Sequence, residues 1–391
     1  MTEVILPFPT ENPPAHLVLS VQILRGVAAL LVVLFHYSHY LKSVAPGADI
    51  GFQMFGGGYV GVDIFFIVSG FIIVHSTEQR HNARPLDFLI RRFFRVVPLA
   101  QIATLINFSV MSARPSLTLL WKSLLFLPSA EINPPKFGYP VVAQAWTLSY
   151  ELVFYGIFAA VLLCTQRNRV VAAASIIVAF VIGFQWVLGG PISLRPNGVW
   201  LPTGYQGLVP PEYLGTLGNP IMLEFILGMA MAVAYLRVGG WLQEDGRRLA
   251  GRIAGISLMG IFFYSYLSRS DPGNGLLDKG AGAACLVVGA LLWELTCRPH
   301  PVAARPGACL SLFLWLGAIS YPLYLVHEGI AERLLRFLSI RLLGITVDGI
   351  WGLVALITTS LVLAWVAHVF LEQYFIRAGK RLIAHKDRLA A

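Results

Sequence analysis

A chain of 391 residues that is 57% hydrophobic and only 13% charged is not an ordinary soluble domain, in which about a quarter of the residues carry charge. Its formal charge of +9 would suit a nucleic-acid binder, but the basic residues gather at the ends of apolar runs, where they set membrane orientation. The four cysteines show no C-x-x-C pair and no zinc-type spacing with histidine, so neither a disulfide framework nor a metal site is expected.

Apolar runs long enough to cross a bilayer recur along the whole chain. They predict an all-α polytopic membrane protein, a bundle of about ten transmembrane helices over 17–41, 59–77, 91–111, 144–164, 170–189, 220–237, 250–267, 279–297, 311–332 and 350–374. No Lys or Arg precedes Arg25, so the first span is expected to be uncleaved. Between the third and fourth spans, the apolar stretch Leu117 to Leu127 is too short to cross and is expected at the interface or re-entering, followed by a Pro-rich turn, Asn133-Pro134-Pro135. The 190–219 connection is rich in Pro and Gly and carries Trp200, Tyr205 and Tyr213. Loops of that length are often functional.

An even number of spans puts both termini on one side. Basic residues are in excess in the even-numbered connections and the tail: Arg80, Arg84, Arg91, Arg92 and Arg95 after span two, Arg298 and Arg305 after span eight, and Arg377 to Arg388 at the end. The odd connections hold fewer, among them Arg114, Arg269 and Arg341. Both termini are therefore expected in the cytoplasm, with 1–16 a cytoplasmic segment, 17–376 the membrane domain and 377–391 a basic cytoplasmic tail.

That orientation gives each intramembrane polar group a depth. Arg25 and His36 lie in span one, eleven residues apart; they share a helix face and are separated by about 16 Å along the axis. An arginine within a span costs about 2.5–3.5 kcal/mol on insertion scales, so it is retained for a partner or a task. Asp63, Glu151 and His327 with Glu328 all fall, like His36, toward the outer ends of their spans. Blander readings stand beside these: an interfacial turn residue for Asp63, a structural ion pair for Glu151, a structural hydrogen bond for His327. Glu224 and Glu294 receive no role. Arg91, Arg92 and Arg95 form an arginine-only cluster at the start of span three. It reads either as an orientation anchor or as a phosphate site, because guanidinium holds phosphate in bidentate fashion.

The chain resembles the bacterial membrane acyltransferase-3 family, especially its exopolysaccharide and O-antigen O-acetyltransferases. The matching pieces are LRGVAALLVVLFHY (24–37), GYVGVDIFFIVSGFII (58–73), FLIRRFFRVVP (88–98), AWTLSYELVFY (145–155) and ISYPLYLVHEGI (319–330). The resemblance implies transfer of an acyl group, most often acetyl, from cytoplasmic acyl-CoA to a hydroxyl of a cell-surface or exported carbohydrate, in the bacterial inner membrane. It places the R-x10-H pattern on Arg25 and His36 and the R-x-x-R pattern on Arg92 and Arg95. Its W-x-L-x-x-E acid falls on Glu151, and its late Tyr-x-x-His element on Tyr324 and His327. Trp146, Tyr150 and Tyr324 are the expected substrate-binding residues. The chain ends soon after span ten, so no fused periplasmic esterase-like domain is expected.

On this reading the CoA phosphates meet Arg25, Arg91, Arg92 and Arg95, and the thioester reaches His36. His36 is the general base, Glu151 orients or charge-balances it, and Asp63 and His327 shape the acceptor site or stabilise the oxyanion. A covalent acyl-His step is left open. The expected partners are membrane lipid, acyl-CoA and a carbohydrate or lipid-linked glycan, with no nucleic acid and no metal; oligomeric state is not readable. The alternative is a proton-coupled secondary transporter, which would also bury ionisable groups, although no internal repeat supports it.

Overall fold

The structure is a computed structural model that describes residues 18–42, 49–78, 84–111, 115–130, 134–268, 273–297, 307–339 and 348–390. The N-terminal segment 1–16, Asn133, and Arg80, Arg114, Arg269, Arg298, Arg305 and Arg341 lie outside these residues. Ten helical segments are long and apolar enough to cross a membrane. They coincide with the ten predicted spans, and no strand occurs among the described residues. Helix is the expected solution, because every backbone polar group must be satisfied within its own segment in lipid.

The ten principal helices are α1 (Leu19–Tyr37), α2 (Gly61–Glu78), α3 (Pro85–Val110), α4 (Trp146–Cys164), α5 (Arg169–Leu188), α6 (Leu223–Val238), α7 (Asp245–Leu267), α8 (Lys279–Thr296), α9 (Ala308–Val326) and α10 (Gly349–Ala367). A further helix, α11 (Gln373–Ala390), follows α10 through a widened turn at His368–Glu372. Residues expected only as a basic tail thus continue as helix and lie along α3.

α1 sits at the centre, packed between α9 and α2, and α2 packs in turn on α6. These contacts depend on small residues that let backbones approach. A Cβ on Gly26 would lie 2.8 Å from the Gly317 nitrogen, and one on Gly317 would lie 2.0 Å from the Gln22 carbonyl oxygen. Lipid tails are as apolar as leucine, so such close packing supplies the association energy that burial supplies in water. Glu294 of α8 accepts hydrogen bonds from the Leu19 and Ser20 backbone N–H groups, each at 2.9 Å, and so satisfies the free N-terminus of α1.

Two loops fold toward the bundle. The Leu117–Leu124 helix exposes Leu117 and Trp121, as an interfacial segment does, while its Ser123 hydroxyl accepts from the Val141 N–H at 2.9 Å. In the 190–219 connection, Gln185 closes the turn by donating to the Ser193 and Gly218 carbonyls and accepting from the Ser193 N–H.

Candidate active site

Three chambers follow one another through the bundle between α1, α2, α3, α4 and α9. At one end Arg91, Arg92, Arg95 and Lys380 line a mouth of about 310 Å³. The mouth shares Ile72, Arg92 and Arg95 with a central chamber of about 80 Å³, which adds Arg25, Glu151, Tyr155 and Ser320. Val62 and Tyr324 line both the central chamber and a third, of about 970 Å³, into which His36 and Glu328 face. Arg25 and His36 open onto successive chambers, as one shared face of α1 requires.

The central chamber is strongly cationic. The Arg25 guanidinium donates to Gln22 Oε1 at 3.3 Å and Ser320 Oγ at 3.1 Å. Arg92 lies over the rings of Phe88 and Tyr155, 5.7 and 5.3 Å from their centroids. Glu151 accepts from the Tyr155 hydroxyl and, at 3.2 Å, from Ser69 Oγ. It is the one carboxylate among three guanidiniums lining this chamber, so the walls keep an excess of positive charge.

At the opposite end the sequence motif becomes a compact cluster. His36 Nδ1 lies 2.8 Å from the Val32 carbonyl, and His327 Nδ1 lies 3.1 Å from that of Leu323. A carbonyl only accepts, so both neutral rings carry their proton on Nδ1 and leave Nε2 with a lone pair. His327 Nε2 faces His36 Nδ1 at 3.3 Å, and His36 Nε2 lies 3.5 Å from Glu328 Oε2. The Tyr37 hydroxyl donates to the His327 carbonyl and lies 2.9 Å from Ser360 Oγ. His327 itself is fully buried.

Glu328 reaches His36 because the helix breaks there. Glu328 is extended (φ −90°, ψ 135°), and Gly329 has φ 83° and ψ −59°, values that only glycine adopts readily. A Cβ at Gly329 would also meet Asn107 Oδ1 at 2.7 Å. Asn107 in turn donates to the Val141 carbonyl at 2.6 Å and accepts from Arg333. Charged and amide side chains therefore secure the break from the α3 side.

The other expected residues divide. Tyr324 and Trp146 line the histidine-end chamber. The Tyr324 hydroxyl donates to the Gln144 carbonyl at 2.9 Å, while Gln144 Nε2 donates back to the Tyr324 carbonyl at 2.8 Å. Tyr150 lies behind the wall, where its hydroxyl donates to the Pro135 carbonyl at 2.5 Å, and it touches none of the three chambers. Asp63 is also behind the wall. Both its oxygens are engaged, by Asn274 Nδ2 at 2.7 Å and the Gly275 N–H at 2.6 Å, and it fixes the Gly273–Asn274 segment that lines the chamber. Neither Trp200 nor Tyr205 reaches that chamber.

Glu151 departs from its expected depth and does not contact His36. The chain before α4 folds into the bundle, and Gln144 already bonds at the level of Tyr324 and Leu325. Seven residues further, about 10 Å along a helix, Glu151 is among the arginines. Gln144 and Tyr37 escaped the sequence reading, and Glu328 was placed beside His327 without the bend that brings it to His36. Nothing in hydropathy marks a non-helical Glu-Gly step inside an apolar run, although the adjacent His-Glu-Gly triplet was the available signal.

His36, His327 and Glu328 also bring three ligand-type atoms within 4.8 Å of one another. The two rings already face each other at hydrogen-bond distance, an arrangement closed on itself rather than opened around an ion.

Comparison with known proteins places the chain among membrane acyltransferases. The chain is similar to the exopolysaccharide production protein ExoZ of Rhizobium meliloti (strain 1021), 29% identical over 279 residues, covering 69% of this chain and 75% of that protein. It is 24% identical to the peptidoglycan O-acetyltransferase OatA of Listeria monocytogenes over 375 residues, or 90% of this chain and 55% of that longer protein. It is 26% identical to the acyltransferase MdmB of Streptomyces mycarofaciens over 293 residues, covering 69% of this chain and 67% of that one. No solved structure matches. Nothing among these relatives supports the transporter alternative. The acyltransferase domain of the acyltransferase-3 family matches residues 18–369, all but the two ends of the chain, and the protein belongs to that family.

Proposed function

We propose that this protein is an acyl-CoA-dependent O-acetyltransferase that acts on a cell-surface or exported polysaccharide, with both termini and the arginine-lined mouth on the cytoplasmic side of the bacterial inner membrane. One observation supports the reading: a series of adjoining chambers begins among guanidiniums and ends at the widest, which the His36 imidazole and Glu328 line. The narrow central chamber suits the extended arm of an acyl thioester, and the wide one suits a sugar. The acceptor follows the relatives, one named for exopolysaccharide production and one for peptidoglycan O-acetylation.

In the reaction, the sugar hydroxyl oxygen attacks the thioester carbonyl carbon while His36 Nε2 takes its proton. The tetrahedral intermediate collapses as the carbon–sulfur bond breaks, and the thiolate leaves with the proton carried by His36. Glu328, 3.5 Å from Nε2, stabilises the transient imidazolium. His327 and the Val32 carbonyl hold the ring in the tautomer that can accept. Arg25, Arg92 and Arg95 bind the donor's phosphates, and Glu151 orders Tyr155 beneath Arg92. Tyr324 and Trp146 shape the acceptor wall.

The test is label transfer from radiolabelled acetyl-CoA to oligosaccharides of the host's surface polysaccharide by purified protein. Wild type transfers label, and His36→Ala loses about 10²–10⁴-fold in rate, the usual contribution of a general base. Full transfer by His36→Ala would overturn the mechanism.

A further inference from the structure

We propose that Glu224 is a positioning residue for the acceptor: its carboxyl donates a hydrogen bond to Asp63, and through Asp63 it holds the loops that edge the widest chamber. The proposal rests on the acyltransfer reading above and gives a task to a buried acid that the mechanism leaves unused.

Glu224 lies in the first turn of α6 and Asp63 in the first turn of α2, and both are fully buried. Their carboxyl groups hydrogen-bond to each other. Both Asp63 oxygens accept, from Asn274 Nδ2 and from the Gly275 N–H, whereas neither Glu224 oxygen has a donor in bonding geometry. The Gly275 N–H, which lies near both acids, is engaged by Asp63. Two carboxyl groups can bond only through a proton, and Asp63 is the one already arranged as acceptor, so Glu224 is the donor. A buried acid without a partner is costly; a protonated one bonded to a carboxylate is satisfied. The first turn of α8 closes over it, since a Cβ on Gly280 would collide with Glu224 Oε1.

The bond bears on the acceptor through two loops far apart in sequence. Gly275, at φ 115°, turns its N–H onto Asp63, and Asn274 Nδ2 donates as well to the Tyr59 carbonyl at 3.3 Å. A second loop is seated on this turn. A Cβ on Gly273 would lie 2.6 Å from Asn197 Nδ2, Gly275 packs on the Pro196 ring, and Arg195 pairs with Asp278 at 3.7 Å. Asn197, Gly273 and Asn274 line the chamber of His36 and Glu328. Amide side chains both donate and accept, which suits sugar hydroxyls. The arginines line the other two chambers, so a shift of this edge acts on the acceptor and spares the donor.

The experiment measures the KM for each substrate and kcat, with radiolabelled acetyl-CoA and oligosaccharides of the host's surface polysaccharide in non-ionic detergent. Hydrogen exchange of residues 273–279, read by mass spectrometry, is a second readout that needs no activity. Glu224→Ala is expected to raise the acceptor KM about tenfold, the effect of one charge-assisted hydrogen bond, with the acetyl-CoA KM and the kcat at saturating acceptor in place. It should also speed exchange of 273–279 about tenfold. Glu224→Gln, whose amide can donate to Asp63, should restore wild-type values in both readouts. Asn274→Ala cuts the tie without touching the buried pair and should match Glu224→Ala, which keeps the test decisive if the latter fails to fold. Wild-type acceptor KM and exchange in Asn274→Ala would overturn the proposal. So would equal losses in Glu224→Gln and Glu224→Ala, which would make the pair a cation site, or a matching rise in the acetyl-CoA KM with a fall in kcat, which would make Glu224 a residue of general stability. Absence of transfer by wild type would remove the acyltransfer reading, and exchange alone would then decide whether Glu224 holds the turn.

Discussion

In the proposed mechanism His36 and Glu328 act as one acid–base unit, and their separate removal should show it. The pair is partly open, with side chains 28% and 35% exposed, so the charge of Glu328 is worth less than that of a sealed partner. Glu328→Gln is expected to lower kcat about tenfold, well short of the loss from His36→Ala, and the double variant should be no worse than His36→Ala alone. Steady-state rates for the three proteins check this; additive losses would separate the two residues. Chelation makes a second test of the same cluster: exhaustive treatment with EDTA should leave the rate unchanged, because the proposed mechanism routes no step through a metal ion. Arg25 and His36 were legible in sequence because charge inside an apolar run is expensive and their spacing fixes a shared face. Glu151 was found but misplaced in depth, whereas Asp63 lies at the expected end of the bundle, behind the chamber wall rather than in it. Span boundaries convert to depth only when the preceding loop stays outside, and the segment through Gln144 does not. Tyr150 sits in the right motif and faces away from the chambers, a rotation that one helix cannot reveal without its neighbours.

Among the elements, the break after α9 has the clearest consequence. It turns Glu328 into the widest chamber, and it depends on a positive-φ glycine pressed against Asn107. Gly329→Ala should cost about 1–3 kcal/mol of stability and lower the rate further than that loss explains, since Glu328 would be re-aimed. Thermal unfolding in detergent, set beside kcat, checks both halves of the expectation. The centre of the bundle is the other sensitive place. Gly317→Leu should prevent α1 from seating on α9 and abolish stable expression, because the added side chain meets the Gln22 backbone. All ten spans were legible, since apolar length is decided locally. The docking of α11 was not: a basic sequence reads as solvated tail until Asp87 and Phe94 of α3 are known to lie beneath it.

At the scale of the whole molecule, the three chambers lie in series, and the proposed mechanism brings donor and acceptor in from opposite ends of the bundle. Val62 and Tyr324 form the neck between the last two chambers. Val62→Trp should therefore preserve CoA binding at the mouth while reducing transfer more than tenfold. Calorimetric titration with CoA and the transfer assay separate those effects. The central claim is transfer along this path, and sidedness tests it most directly. Wild-type protein is reconstituted in uniform orientation in sealed vesicles, with radiolabelled acetyl-CoA only on the arginine side and impermeant oligosaccharide only on the histidine side. The account predicts acetylated oligosaccharide on the histidine side, absent with His36→Ala. Label transfer only when donor and acceptor share one side would contradict it.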